Sequence, residues 1–186
     1  MSPNEIIIAQ TKKWIRDVIV GCHFCPFAAR ELKAGTIHYE VTLQAGMQTA
    51  LESLASSFNK LDADETIETI FIIFPDTFKA FDEYLNLLEV SESLLKRQDY
   101  EGIYQIASFH PDYLFAGSAE SDPANYTNRS PYPMLHLLRE ETVSRAIDGF
   151  PGTEKIPQSN IKYARQKGLL YMKSLRDSCF WDDILE

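Results

Sequence analysis

Three stretches of this sequence carry polar or nucleophilic side chains where packing alone does not require them. They are the thiol of Cys25, the segment 108–113 and the segment 125–140. Thiol, imidazole, carboxylate and guanidinium groups serve enzymes as nucleophiles, acids, bases and anion ligands. Any chemistry that the protein performs is therefore expected in these stretches.

The first polar cluster, Ser108, His110 and Asp112, lies at the end of a strand predicted at 103–109. In open α/β sheets, ligands bind beyond the carboxyl ends of the strands. This position favours a chemical role for His110 and Asp112, with Ser108 contacting the substrate. The alternative is that His110 is only a structural hydrogen-bonding partner.

The second cluster precedes a helix that is predicted to begin at Ser130. Free backbone N–H groups and the helix dipole at such a start attract an anion, and Arg129 adds a bidentate grip on phosphate or carboxylate. Asn125 and Asn128 stand close by in the chain. The alternative is that Ser130 caps the helix, the asparagines stabilise turns and Arg129 pairs with a local acid.

On the same predicted helix, Arg139 and Glu140 share a face with His136, and this face is expected to look into the same cleft. The leading hypothesis is an enzyme that acts on a small anionic substrate. Its catalytic residues are predicted to be Cys25, His110, Asp112 and His136. Its substrate-binding residues are predicted to be Ser108, Asn125, Asn128, Arg129, Ser130 and Arg139.

Cys25 lies between the first predicted helix and a short helix expected at 28–33. A thiol near a helix start has a lowered pKa and acts as a nucleophile or a metal ligand. The spacing from Cys22 fits a redox pair or half of a zinc site, but no second pair stands at ligand spacing. An inert cysteine packed in the core is the alternative.

Two other functions remain open from the residues alone. A metal site formed by Cys25, His110 and His136, with Asp112 as a further ligand, suits a zinc or iron ion. A non-catalytic module that binds a partner or metabolite is favoured by the aromatic loop. The aromatic residues of that loop are Tyr113, Phe115, Tyr126 and Tyr132. Exposed tyrosines are typical of recognition surfaces, whereas buried ones pack the loop.

The same stretches resemble a family of bacterial and plastid proteins known as domain of unknown function fourteen-fifteen. The shared motifs are CPFA at 25–28, YQIASFHPDY at 104–113, NYTNRSPYP at 125–133 and LHLLRE at 135–140. The resemblance spans most of the chain. It implies that these segments form one family core, and it carries over no activity. Cys22 lies outside the pattern, which argues against a redox pair.

The elements that must position these residues follow from hydrophobic periodicity. Ser2, Pro3 and Glu5 form a capping box with proline, which predicts a helix ending near Gly21. Alternation at 37–43 predicts an edge strand, and the apolar run 70–74 predicts a strand buried on both faces. Helices are expected from Met47 and from the residues after Asp76, and a last helix is expected at 161–179.

Together these elements predict an α/β fold, with a small, mainly parallel sheet of about three main strands covered by five or so helices. With 186 residues and no linker, the chain is predicted to be a single domain over 1–186. The loop 110–130 is longer than compact domains usually have without a functional reason.

Composition and charge limit the kinds of partner that the protein is expected to bind. The formal net charge is −9 with no basic run, which argues against nucleic acid. No apolar run approaches the roughly 18 residues that span a bilayer, and the first residues lack a basic stretch typical of a signal peptide. A cytoplasmic protein with reduced thiols is therefore expected, since its three cysteines cannot all pair.

Overall fold

Four strands form one sheet in the computed structural model, which describes residues 1–149 and 152–180. The strands are β1 Ile37–Val41, β2 Thr69–Ile73, β3 Tyr104–Phe109 and β4 Met134–Arg139. Their order across the sheet is β1-β2-β4-β3. As predicted, β1 lies at an edge and every residue of β2 is buried.

The prediction of a mainly parallel, three-stranded sheet is not confirmed. β1 pairs with β2 in parallel, but β4 lies between β2 and β3 and is antiparallel to both. The fold is mixed α/β with a fourth strand. That strand occupies 134–139, where the sequence predicted a helix from Ser130. Leucine, methionine and arginine favour helix locally, but two neighbouring strands pair with β4, and this tertiary contact outweighs the local preference.

Seven α-helices surround the sheet in the described part of the chain. They are α1 Pro3–Trp14, α2 Ala28–Ala34, α3 Met47–Ala63, α4 Phe81–Arg97, α5 Glu140–Asp148, α6 Ile156–Lys167 and α7 Leu169–Asp177. The predicted capping box of α1 is present, with Ser2 and Glu5 bonded reciprocally. α1 continues into a π-helical segment, Ile15–Val20, that ends at Gly21 as expected.

The single helix predicted at 161–179 is in fact two. Gly168, with φ +84° and ψ 163°, separates α6 from α7. This conformation is outside the helical region and strains any residue with a Cβ. The chain therefore turns at Gly168, and α7 packs against the π-helical segment and the loop 110–130.

The two faces of the sheet carry separate cores. α3 and α4 cover one face, where Ile70, Ile72 and Leu137 point. The amino-terminal helical segment and α6 and α7 cover the other face, where Phe71 and Met134 point. None of the helices in the described ranges is long and apolar enough to cross a membrane.

Candidate functional site

A row of side chains across the second face of the sheet sets up the candidate site. Strand register places Tyr39, Phe71, His136 and Ala107 side by side on β1, β2, β4 and β3. Three of these carry rings, whereas Ala107 carries only a methyl group. The small Ala107 side chain lies beside an open volume between the sheet and the helices that cover this face.

This open volume is a cavity of about 260 Å³, here called the central cavity. Its floor is formed by the sheet, including Phe71, Ala107, Phe109 and His136. Its cover comes from Trp14, Ile15, Ile19, Cys25, Phe27, Ala28, Val143 and Ala146. The open surface is predominantly apolar. Two of the predicted catalytic groups, the Cys25 thiol and the His136 imidazole, line it.

The His136 ring lines the central cavity and is held there by stacking and a polar contact. It stacks on Phe71 with ring centroids 3.8 Å apart and planes 7° from parallel. Its Nε2 lies 2.5 Å from the hydroxyl oxygen of Thr69. Burial lowers the pKa of His136 to about 3, because the charged form would lose its hydration. His136 is therefore neutral near neutral pH.

Cys25 lies at the junction of the central cavity and a second cavity. Burial raises the pKa of its thiol. The backbone N–H groups of Phe27 and Ala28, where α2 begins, act in the opposite direction but do not outweigh burial. The expectation of a lowered Cys25 pKa is therefore wrong.

The second cavity, of about 310 Å³, lies between the π-helical segment, the loop 110–130 and α6. It shares Ile19, Cys25 and Phe109 with the central cavity. Asn128 and Asn160 contribute its polar surface. Of the predicted substrate-binding residues, only Asn128 reaches this space, beside Cys25.

His110 does not line either cavity. It is fully buried on the α4 side of the sheet, where it packs against Phe81 and Tyr84. Its Nδ1 accepts a hydrogen bond from the backbone N–H of Asp112, so its Nε2 donates to the carbonyl of Phe78. With both nitrogens bonded, His110 serves as a structural link, which was the alternative interpretation. The Asp112 side chain is exposed.

No helix begins at Ser130, so the predicted anion site at a helix start does not exist. Ser130 is fully buried, and its hydroxyl donates to the carbonyl of Tyr132. The Arg129 guanidinium donates to the carbonyls of Tyr113 and Glu120 and lies over the Tyr126 ring. The groups that were expected to hold an anion are instead engaged in fixing the loop.

The predicted asparagines also hold this loop together. Asn125 is fully buried, accepts from the N–H of Phe115 and donates to the carbonyl of Ala119. Asn128 donates to the carbonyl of Ser108 and thereby joins the loop to β3. These two amides thus stabilise the long loop. This is the alternative interpretation, in which the asparagines stabilise turns.

Arg139 lines the central cavity, but its guanidinium is hydrogen-bonded to backbone carbonyls. Nε donates to the carbonyl of Ile67, and a terminal nitrogen donates to those of Leu61 and Asp64. These carbonyls lie at and beyond the end of α3. Arg139 therefore ties β4 to α3.

The proposed metal ligands are not assembled. Cys25 and His136 share the central cavity, but His110 lies on the other face of the sheet with both nitrogens occupied. Within residues 1–149 and 152–180, no group of three or more His, Cys, Asp or Glu side chains is arranged to hold a metal ion.

The aromatic residues of the loop do not form an exposed surface. Tyr126 is buried, and Tyr132 is half-buried with its hydroxyl bonded to Gln10. Tyr113 packs between Phe81 and Phe115. These rings pack the loop, which was the alternative to a recognition surface.

Sequence reasoning missed Trp14, Thr69, Phe71 and Ala107 as components of the site. Alternation along the strands was the signal that could have found the last three, since residues two apart share a face. The pattern could not show that a cavity lies above them, because that depends on the helices packed there.

The fold and the cavity define a mixed α/β protein with an apolar pocket between its sheet and its helices. Residues 6–174 match the family described as "Protein of unknown function (DUF1415)", and the chain belongs to this family. No curated protein and no solved structure matches the chain.

Proposed function

We propose that the protein binds a small, planar, uncharged organic molecule in the central cavity. The observation that carries this proposal is a cavity of about 260 Å³ with predominantly apolar walls. Sites for small molecules are concave and mostly apolar, with a few polar groups that fix the orientation of the ligand.

The size and shape of the cavity support a ring system of two fused rings. An apolar protein cavity of roughly 150 Å³ binds benzene, and the central cavity is larger. The cavity is lined by the stacked rings of Phe71 and His136 and by those of Trp14 and Phe109, which meet edge to face at 5.1 Å. Such surfaces favour the stacking of a flat ligand.

The charge state of the lining groups supports binding over covalent chemistry. Cys25 and His136 line one cavity, which favours the enzyme hypothesis in part. However, burial raises the pKa of the thiol and lowers that of the imidazole, so both are uncharged near neutral pH. A neutral thiol is a poor nucleophile. An anionic substrate is not favoured, because Arg129 and Arg139 are bonded to carbonyls.

Indole binding to the wild type and to a cavity-filling variant tests this proposal. Calorimetry should give a Kd on the order of 10⁻⁴ M for indole, typical of a tightly enclosed ligand of this size. Ala107→Leu places a larger side chain over the floor of the cavity and should abolish binding. Ala63→Leu, on an exposed position of α3, is the matched control and should bind like the wild type.

Benzoate, a planar anion of similar size, should bind far more weakly than indole. The proposal fails if the wild type binds no neutral aromatic compound. It also fails if Ala107→Leu, shown by its unfolding transition to be folded, binds indole as the wild type does.

A further inference from the structure

Three polar atoms at the floor of the central cavity fix the position of one proton. The Thr69 hydroxyl oxygen lies 2.5 Å from the carbonyl oxygen of Leu137 and 2.5 Å from Nε2 of His136. A hydroxyl group has a single proton, and a carbonyl oxygen can only accept. The Thr69 proton must therefore lie toward Leu137, since two oxygens this close without a proton between them would repel each other.

The position of the proton on the His136 imidazole follows from this assignment. Because the Thr69 proton is directed at Leu137, Nε2 of His136 must carry a proton and donate it to Thr69. His136 is neutral, since burial lowers its pKa to about 3. A neutral imidazole has one N–H, so Nδ1 carries a lone pair.

Nδ1 of His136 opens onto the cavity. Within the described ranges, the fully buried side-chain nitrogen and oxygen atoms without a hydrogen-bond partner are the hydroxyl oxygens of Tyr39, Thr77 and Ser91. Nδ1 is not among them, and no hydrogen bond to it exists in these ranges. It is thus an acceptor that is accessible from the cavity that His136 lines.

Apart from Gln105, the other polar side chains that line the cavity are paired within the described residues. Thr142 donates to Glu68, and Arg30 and Thr36 both donate to Glu31. Arg139 donates to three carbonyls of the α3 end and its loop. The cavity therefore offers a lone pair on an apolar floor, without an uncommitted cation beside it.

We infer that the ligand of the central cavity carries an N–H or O–H donor on its ring edge, which Nδ1 of His136 accepts. This inference rests on the proposed function and narrows its ligand to donor-bearing aromatic heterocycles or phenols. An unpaired polar atom in a binding site weakens binding of a ligand that cannot satisfy it.

Two ring systems of equal shape test the inference. Indole has an N–H donor, and 1-benzothiophene has none. Calorimetry on the wild type should show indole bound about fivefold to tenfold more tightly, the effect of one hydrogen bond. His136→Phe keeps the flat ring and removes the acceptor, so this preference should disappear.

Nitrogen-15 NMR of the histidines provides a readout that needs no variant. The unliganded wild type should show His136 as the Nε2–H tautomer, and indole should shift the Nδ1 resonance while 1-benzothiophene leaves it unchanged. An Nδ1–H tautomer, or equal affinities of the wild type for the two compounds, would overturn the inference and leave the proposed function standing. Failure of both compounds to bind would overturn the proposed function and the inference with it.

Discussion

His136 and Cys25 both line the central cavity, and burial shifts the pKa of each toward its uncharged form. His110 shows the opposite use of a buried histidine, since both its nitrogens are bonded within the fold. The local sequence around these histidines does not distinguish them. The difference lies in which face of the sheet each ring occupies and whether space adjoins it.

Alkylation measures the consequence for Cys25. Iodoacetamide reacts with the thiolate, so a raised pKa should move the midpoint of the pH–rate profile of Cys25 above about 8.5, the value for a free thiol. Cys179, which is fully buried with its pKa raised to about 11, should react later still.

The same protein in urea is the control for this experiment, because all three cysteines should then share one profile near the free-thiol value. Mass spectrometry assigns the modified sites. A Cys25 midpoint below that of the urea-unfolded chain would show an activated thiol and contradict the assignment of burial as the dominant effect.

Among the secondary-structure elements, β4 determines where the site residues lie. It is the central strand that brings His136 beside Phe71 and Ala107, and its last residue, Arg139, binds the carboxyl end of α3. The Arg139 guanidinium also lies over the Tyr104 ring of β3, with its carbon 5.8 Å from the ring centroid. β4 is thus linked to both cores.

Removal of this link should destabilise the protein. Arg139→Ala leaves the carbonyls of Leu61, Asp64 and Ile67 without their donor, and the expected loss is about 2–3 kcal/mol in the free energy of unfolding. Arg145→Ala is the matched control, since Arg145 is exposed and, among the described residues, pairs with Glu141 and Thr142 of its own helix.

The Arg145 control should lose less than about 0.5 kcal/mol. Urea unfolding monitored by tryptophan fluorescence measures both variants. Equal stability of the two variants would show that Arg139 is not a structural link, and a functional role for its guanidinium would then regain support.

At the scale of the whole molecule, the sheet holds several histidines in their neutral form. Burial lowers the pKa of His38, His110 and His136 in the folded state. The unfolded chain therefore binds protons that the folded chain cannot bind as pH falls below about 6.5. The stability that depends on these neutral rings is present above that pH and decreases as the solution is acidified.

The contribution of His136 to this pH dependence of stability can be measured separately. Between pH about 6.5 and its folded pKa of about 3, it should make the free energy of unfolding fall by up to about 1.4 kcal/mol per pH unit. His136→Phe should have a shallower dependence by about one proton. The exposed His23, which has a positive φ, is the control position, and His23→Asn should follow the wild type.

Urea unfolding at a series of pH values gives these slopes. Parallel curves for the wild type and His136→Phe would mean that His136 takes up a proton in the folded state. The assignment of burial as the dominant effect on the pKa of His136 would then be wrong.

Local sequence patterns were sufficient to predict several elements of the fold. The Ser2 capping box gave the start of α1, the continuous apolar run gave the buried β2, and strict alternation gave the edge strand β1. Each of these patterns reports interactions between residues close in the chain or between a strand and water. The long motifs shared with the family likewise identified the family.

The formation of β4 and of the site depends instead on contacts between segments that are distant in the chain. The pairing of β4 with strands on both sides overrides a local preference for helix, and it places His136 against Phe71 rather than beside His110. The loop and the amino-terminal helix are joined by a hydrogen bond from Trp14 to the carbonyl of Arg129, 115 residues away. Contacts between distant segments create the cavity and bury Cys25 and His136. The periodicity of a short stretch of sequence cannot predict these contacts, because the energy that selects them comes from packing between segments far apart in the chain.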